Sequence, residues 1–193
     1  MPLSHSPIET ERLILRPFTG HDFAALYSLH SLPEVAEFMY WAPRSREEVW
    51  EALAKRVRNA VAVGTEPEEL EMAVALRSDG VLIGETNLNL TSRANRQGEV
   101  GFVLHPGYQG NGYGTEAVAA TLTAGFARFG LHRIFGRCNA RNHASARLME
   151  RLGMRLEAHL RQSELVKGVW CDVFEYAVLA SEWPGTQRNG QEG

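Results

Sequence analysis

The segment Gln109-Gly110-Asn111-Gly112-Tyr113-Gly114-Thr115 places three glycines at alternate positions. Before it runs Glu99-Val100-Gly101-Phe102-Val103-Leu104, a strand-like stretch, and after it Thr115-Glu116-Ala117-Val118 opens a helix-like one. Strand, glycine loop and helix N-terminus together make an anion grip. Residues without side chains let the backbone approach closely, and the first unpaired N–H groups of the helix point at the ligand. A nucleoside triphosphate loop requires G-x-x-x-x-G-K-S/T, and no Lys follows these glycines. A dinucleotide fingerprint requires G-x-G-x-x-G in an early strand–helix–strand unit. Here the glycines alternate and lie in the second half of the chain. For a lone triplet, a glycine turn without a ligand is the plain alternative.

The rest of the chain supplies the context. Glu11 to Arg16 reads as a first strand, ended by Pro17. Thr19 with Asp22 reads as a helix cap, and Phe23, Leu26, Tyr27 and Leu29 give that helix an apolar face. A short segment follows Pro33, and Ser45 with Glu48 forms a capping-box pattern that opens a helix to about Val61. Leu70–Leu76 and Val81–Leu90 read as strands joined by the turn signal Asp79-Gly80. Glu99–Leu104 is the third strand of this group, and the helix after the glycine loop runs to Phe129 with Gly130 as its stop. Arg133–Cys138 is a strand, and Ala144–Leu152 is a helix capped by Asn142. Arg155–Val166 and Val169–Leu179 are long strands. The order predicts one mixed α/β (α+β) domain. Its sheet is mostly antiparallel, with a parallel crossover at the glycine loop and flanking helices. The domain is expected over residues 10–182, with a flexible tail at 183–193.

Composition narrows the function. The chain has 193 residues, 44% hydrophobic and 22% charged, with a formal net charge of -3. That balance argues against a nucleic-acid-binding domain. No apolar run approaches the roughly 20 residues of a membrane span. Met1-Pro2-Leu3-Ser4-His5-Ser6 has no basic region followed by an apolar core. No secretory leader is therefore expected, and a cytoplasmic location is. The seven histidines and two cysteines show no zinc-ligand spacing, so no metal is expected. Cys138 and Cys171 read as small buried hydrophobes.

With these flanks, the loop resembles the pyrophosphate loop of the GCN5-related N-acetyltransferase (GNAT) superfamily, Q/R-x-x-G-x-G/A. Gln109, Gly112 and Gly114 fill it here. Residues 105–117 are similar to the version in the branch related to ribosomal-protein N-terminal acetyltransferases, the RimJ/RimL type. Two further stretches are similar to that branch: Thr10-Glu11-Arg12-Leu13-Ile14-Leu15-Arg16-Pro17 at the first strand, and residues 142–154, which follow N-x-x-S-x-x-L/V/M-x-x-K/R-x-G-F/M. The resemblance spans about residues 10 to 182. It implies a GNAT-like domain whose parallel strand pair splays at the cofactor site.

The resemblance also implies acetyl-coenzyme A as donor, with the pyrophosphate on the amides of Gln109, Gly110, Asn111, Gly112, Tyr113, Gly114 and Thr115. No Lys or Arg lies within the loop, so backbone donors and the helix dipole are expected to carry most of the grip. The pantetheine arm would run along Phe102, Val103 and Leu104, and Asn142 would touch the cofactor from the next helix. The acceptor would be an amine, either a small molecule or a protein N-terminus. Transfer would be direct, without an acyl-enzyme, by a monomer or homodimer. An amine is mostly an ammonium at neutral pH and needs a base. The developing oxyanion needs a fixed donor, and the leaving thiolate a proton. The family places Ser145 near the coenzyme sulfur. Glu164 lies in Gln162-Ser163-Glu164, in a stretch similar to the family's Q-x-E-x-x-x-G-x-x-x-D-V, and is the first candidate for base. Glu99 is its rival. Glu85 is a third choice and, with Trp41, a candidate for the acceptor wall. Phe38 is expected to pack, and Asp172 to be structural. A coenzyme-binding sensor that has lost catalysis would carry the same loop.

Overall fold

The computed structural model describes residues 6–61 and 69–184. Strands β1 (Ile8–Glu9) and β2 (Leu13–Arg16) are followed by a 3-10 turn and helices α1 (Phe23–His30), α2 (Pro33–Ala36) and α3 (Arg46–Val61). Then come β3 (Glu69–Leu76), β4 (Leu82–Ser92), β5 (Gln97–Leu104), α4 (Tyr113–Ala127), β6 (Arg133–Asn139), α5 (His143–Arg151), β7 (Arg155–Val166) and β8 (Val169–Leu179). The expected order holds. The two-residue β1 is too short to carry a period of its own, and α2 is the segment after Pro33.

The strands form one eight-stranded sheet in the order β1-β2-β3-β4-β5-β6-β8-β7. Only β5 and β6 pair in parallel among the described strands, and α4 makes the crossover between them. The sheet is covered on both faces, which is why β3 is apolar almost throughout. Leu70, Met72 and Val74 face a core shared with Val118, Leu122 and Phe126 of α4 and Met149 of α5. Ala73, from the opposite face of β3, meets Leu26 of α1 and Val49 and Leu53 of α3.

Local signals take the forms expected of them. Ser45 N–H donates to Glu48 Oε2 at 2.7 Å, and Glu48 N–H donates back to Ser45 Oγ at 3.2 Å. Gly80 turns the β3–β4 hairpin, its N–H donating to Leu76 O at 2.9 Å. Along β7 the pairing with β8 shifts register twice, and Gln162 takes a left-handed φ of 47°. Asp172 fixes this bulge. Its Oδ1 accepts from Gln162 N–H and its Oδ2 meets His159 Nε2, both at 2.9 Å.

Two expectations need correction. The domain does not stop at Glu182, because Trp183 is buried against Phe126 and its Nε1–H donates to Thr123 Oγ1 at 3.1 Å. An indole in the last described turn has enough apolar area to join the core. The remainder of the expected tail, 185–193, lies outside the described residues. Cys171 is only partly buried, in the β7–β8 hairpin, while Cys138 is in the core. Among the described helices none is long and apolar enough to cross a membrane.

The Thr19–Asp22 pattern carries more than a cap. Asp22 is buried, and it accepts from Arg16 Nη1 and Nη2 at 2.8 and 2.7 Å and from Thr19 N–H at 2.7 Å. Burial pushes its carboxyl up, but Arg16 and Thr19 outweigh burial and hold it below the usual range. Asp22→Ala strands the Arg16 cation and should cost about 3 kcal/mol in denaturant unfolding. The lowered carboxyl also fixes a sign. Its stabilisation is complete above the ordinary Asp value of about 3.9 and is lost as pH falls through the lower folded value. The stability gap between wild type and Asp22→Asn should therefore narrow below about pH 4.

Candidate active site

The site begins where two strands part. β5 pairs with β6 at Gln97, Gly98 and Glu99 and no further. Beyond that point β5 follows β4 as far as Leu104, and β6 follows β8 as far as Asn139. The gap opens between them, with α4 and the glycine loop at one end and the N-terminus of α5 beside it.

On the loop side lies a cavity of about 490 Å³, lined by Phe102, Val103 and Leu104 of β5 and by Gln109, Gly110, Gly112, Gly114 and Thr115. Helix α4 starts at Tyr113, two residues earlier than the periodicity suggests, with Gly112 as its left-handed N-cap at φ 81°. That φ disfavours any side chain. Gly114 is small for another reason: a Cβ there would stand 3.0 Å from Leu148 Cδ1 of α5. The Gln109 amide donates to Leu104 O at 3.1 Å, and the Asn111 amide donates to Gln109 O at 3.1 Å. Asn111 and Tyr113 do not line the cavity. The Asn111 side chain instead shapes the loop, and the Tyr113 ring lies under Arg12, 4.7 Å from the guanidinium. Arg147 and Arg151 of α5 add cations to the wall. Left-handed glycines, a helix N-terminus and two arginines fit a ligand carrying phosphates.

Asn142 caps α5, its Oδ1 accepting from Ser145 N–H at 3.1 Å. The cap uses the Ser145 N–H and not its hydroxyl. Both residues line the loop-side cavity and also a second cavity of about 520 Å³. Phe38, Glu85, Thr86, Phe102 and Val103 are likewise common to both. Phe38, expected to be mere packing, thus stands at the junction, because the segment after α2 folds back over the gap.

The second cavity brings Glu164, Glu99, Glu85 and Trp41 together. Their environments differ. Glu85 Oε1 meets His30 Nε2 at 3.0 Å, and its Oε2 lies 3.0 Å from Arg56 Nη2. His30 Nδ1 accepts from Arg44 Nη1 at 3.1 Å, so Nε2 carries the hydrogen given to Glu85. Burial pushes the Glu85 carboxyl up, but Arg56 and His30 outweigh it and leave it below the usual range. A carboxylate so engaged is a poor proton acceptor. Trp41 lies between His30, 4.8 Å away, and the Arg44 guanidinium, 4.6 Å away. Glu99 differs. Burial pushes its carboxyl up, Arg137 offsets this in part, and Glu175 and Glu164 add to it. Glu164 accepts from Tyr40 Oη at 2.7 Å. Burial first, and Glu164 second, push the Tyr40 phenol up to about 12, so Tyr40 keeps its proton. Burial also pushes the Cys138 thiol up to about 11, which leaves it a poor nucleophile. Among the described residues, no group of three or more His, Cys, Asp or Glu is placed to hold a metal ion.

Two participants are not visible in the sequence. Tyr40 stands 124 residues from Glu164. Arg12 stands 99 residues from Asn111, whose carbonyl it holds at 2.8 Å. Arg12 belongs to the first-strand motif, which was the available signal, but spacing does not reveal its partner.

Residues 12–155 match the model of the acetyltransferase (GNAT) domain. The chain belongs to the GNAT family. It is an N-acetyltransferase by class, as are its relatives. The uncharacterized N-acetyltransferase YnaD of Bacillus subtilis strain 168 is 31% identical over 176 residues, covering 91% of this GNAT chain and 98% of the relative. The crystal structure of a GNAT-family acetyltransferase from Bacillus anthracis matches with a TM-score of 0.80 at 28% identity, over 90% of this chain and 98% of that one. The spermidine N-acetyltransferase of Vibrio cholerae, solved with CoA and spermine, shares the fold with a TM-score of 0.76 at 22% identity, over 90% of this chain and 98% of that one.

The GNAT loop geometry makes Gly112 the sensitive position. Gly112→Val forces a branched side chain into a left-handed φ and against Arg12 Nη2, 3.3 Å from the Cβ site. A phosphate ligand of the loop, with coenzyme A as the probe in calorimetry, should bind this variant about tenfold or more weakly than wild type, since the backbone strain is on the order of 1–2 kcal/mol before any loss of ligand contact.

Proposed function

We propose that the protein transfers an acetyl group from acetyl-coenzyme A directly to a compact cationic primary amine. One observation carries this: the loop-side cavity and the carboxylate-lined cavity meet in the gap between β5 and β6, at Phe102, Val103 and Ser145. A donor gripped at the loop and an acceptor among carboxylates would meet there.

The loop amides, the N-terminus of α4 and the cations Arg147 and Arg151 would hold the phosphates. The edge of β5 beyond Glu99, no longer paired with β6, would offer backbone groups to the pantetheine arm. When bound, acetyl-coenzyme A supplies the thioester carbonyl as electrophile. On the acceptor side, Glu69, Glu71, Glu85, Glu99 and Glu164 face Arg56 and Arg137 as the only arginines or lysines among the described lining residues. Both arginines are engaged, Arg56 with Glu71 and Glu85, Arg137 with Glu175. The buried oxygens Glu71 Oε2 and Asn89 Oδ1 have no hydrogen-bond partner among the described residues. Five carboxylates against two arginines that are already engaged leave the cavity with an excess of negative charge, which suits an ammonium group.

Glu99 is the base in this proposal. Its raised carboxyl accepts a proton more readily than the engaged Glu85, and it sits at the last position where β5 pairs with β6. Glu164, held by Tyr40, orients the ammonium. The Ser145 hydroxyl holds a proton at the junction for the departing sulfur. A compact amine is favoured over a protein N-terminus because the cavity is strapped across. Tyr40 bonds Glu164, and Lys167 Nζ donates to Ala36 O and, at 3.1 Å, to Glu37 O. The same fold in the Vibrio cholerae enzyme accommodates CoA together with spermine, a cationic amine.

Thiol release from acetyl-coenzyme A, measured over a panel of diamines, polyamines, amino acids and peptides, tests the assignment. Glu99→Gln should lower kcat by about 100-fold with coenzyme affinity kept. Wild-type activity should fall as pH drops through the raised Glu99 value, because the protonated acid cannot accept the amine proton, and that limb should vanish in Glu99→Gln. Glu164→Gln should act mainly on KM for the amine. Full turnover in Glu99→Gln would move the base to Glu164. Tight coenzyme binding with no thiol release over the whole panel would make the protein a sensor.

A further inference from the structure

We infer that Arg12 is a positioning residue for the coenzyme loop: it fixes the Asn111–Gly112 peptide so that the Gly112 N–H faces the anion site. The inference rests on the coenzyme reading of that loop.

Arg12 precedes β2 and is remote in sequence from the loop. Its Nη1 donates to Asn111 O at 2.8 Å. In a planar trans peptide the carbonyl and the following N–H point in opposite directions, and no peptide among the described residues is cis. With the Asn111 carbonyl drawn to Arg12, the Gly112 N–H is turned away from it. Gly112 lines the loop-side cavity and Arg12 does not. The next peptide is held as well, since Gly112 O accepts from Glu116 N–H at 3.0 Å, the first bond of α4. Both peptides around the left-handed Gly112 are thus pinned by their carbonyls, leaving their N–H groups for a ligand.

Glu116 makes the arrangement rigid. Its Oε2 lies 2.7 Å from both Arg12 Nε and Nη2. Its Oε1 accepts from Thr10 Oγ1 at 2.6 Å and from Arg12 N–H at 2.8 Å. A carboxylate in the first turn of this helix would otherwise repel a phosphate, and here its charge is matched by Arg12. Arg12 therefore offers the ligand no net charge and acts through the backbone. A plain strand-to-helix tether would need the Arg12–Glu116 pair but not the Nη1 bond to the loop carbonyl.

The test uses Arg12→Ala and Arg12→Lys, with coenzyme A itself as probe. Calorimetry gives the affinity, and the Gly112 amide proton in a ¹⁵N-labelled sample reports the loop. In wild type that proton should move downfield on saturation with coenzyme A. Arg12→Ala should bind about tenfold more weakly, the scale of one charge-assisted hydrogen bond, with the Gly112 shift largely lost. Arg12→Lys, which keeps the charge and one donor, should recover part of both. Wild-type affinity in Arg12→Ala, or weaker binding with an unchanged Gly112 shift, overturns the inference. If Arg12→Ala does not fold, the same two criteria apply to Arg12→Lys. A wild-type protein that fails to bind coenzyme A overturns the coenzyme reading instead. The Gly112 resonances of the free proteins then still show whether Arg12 sets the loop.

Discussion

Beyond Glu99 and Phe135 the parallel ladder has no further pairs, although each strand stays paired with its other neighbour. β5 stays with β4 to its end, and β6 stays with β8. A sheet that opens in its middle loses backbone hydrogen bonds, and unpaired buried backbone groups are costly. The lesion is tolerable only where a ligand or water takes the vacated positions. Everything around the gap maintains it. The buried hydroxyls of Thr121 in α4 and Thr86 in β4, 3.0 Å apart, tie the helix to the sheet at the base of the opening. The Asn142 cap stops α5 at its rim.

The polar groups near the gap divide into those that build and those that remain open to chemistry. The His30, Arg44, Arg56 and Glu85 set is a closed circuit in which every charge meets an opposite charge or a ring. Breaking one member would leave another buried and uncompensated, which makes the set structural. Glu99 and Glu164 keep a freer position. The first is balanced only in part by an arginine shared with Glu175, and the second is held by a neutral phenol.

Most of the fold is legible in the sequence because it rests on local rules. The long strands Arg155–Val166 and Val169–Leu179 end at the residues that their turn signals mark. The caps at Ser45 and Asn142 use short side chains acting on backbone three residues away. The glycine loop is legible as an anion grip, and its three-segment context as a family resemblance. What escapes is what depends on tertiary approach. Glu85 has the residue type of an acceptor ligand, yet its surroundings consume its charge. Arg12 and Tyr40 gain their roles from contacts across the fold. Trp183 looks like part of a polar tail until the α4 surface is there to receive it. Spacing reports a helix face or a strand face, and it is blind to which distant surface that face will meet.

The kinked outer strand β7 has a consequence for how the molecule behaves in a crowd. It is the free edge of an eight-stranded sheet, and exposed apolar side chains lie along this hairpin at Leu156, Leu160, Leu165, Val169 and Trp170. A straight edge of that kind is a template onto which another chain can zip. The left-handed Gln162 and the two register shifts break the template into short pieces, and Asp172 keeps the break in place by bonding both His159 and the Gln162 backbone. The bulge thus interrupts the straight run of edge backbone along which another strand could pair, beside a hairpin that carries exposed apolar side chains.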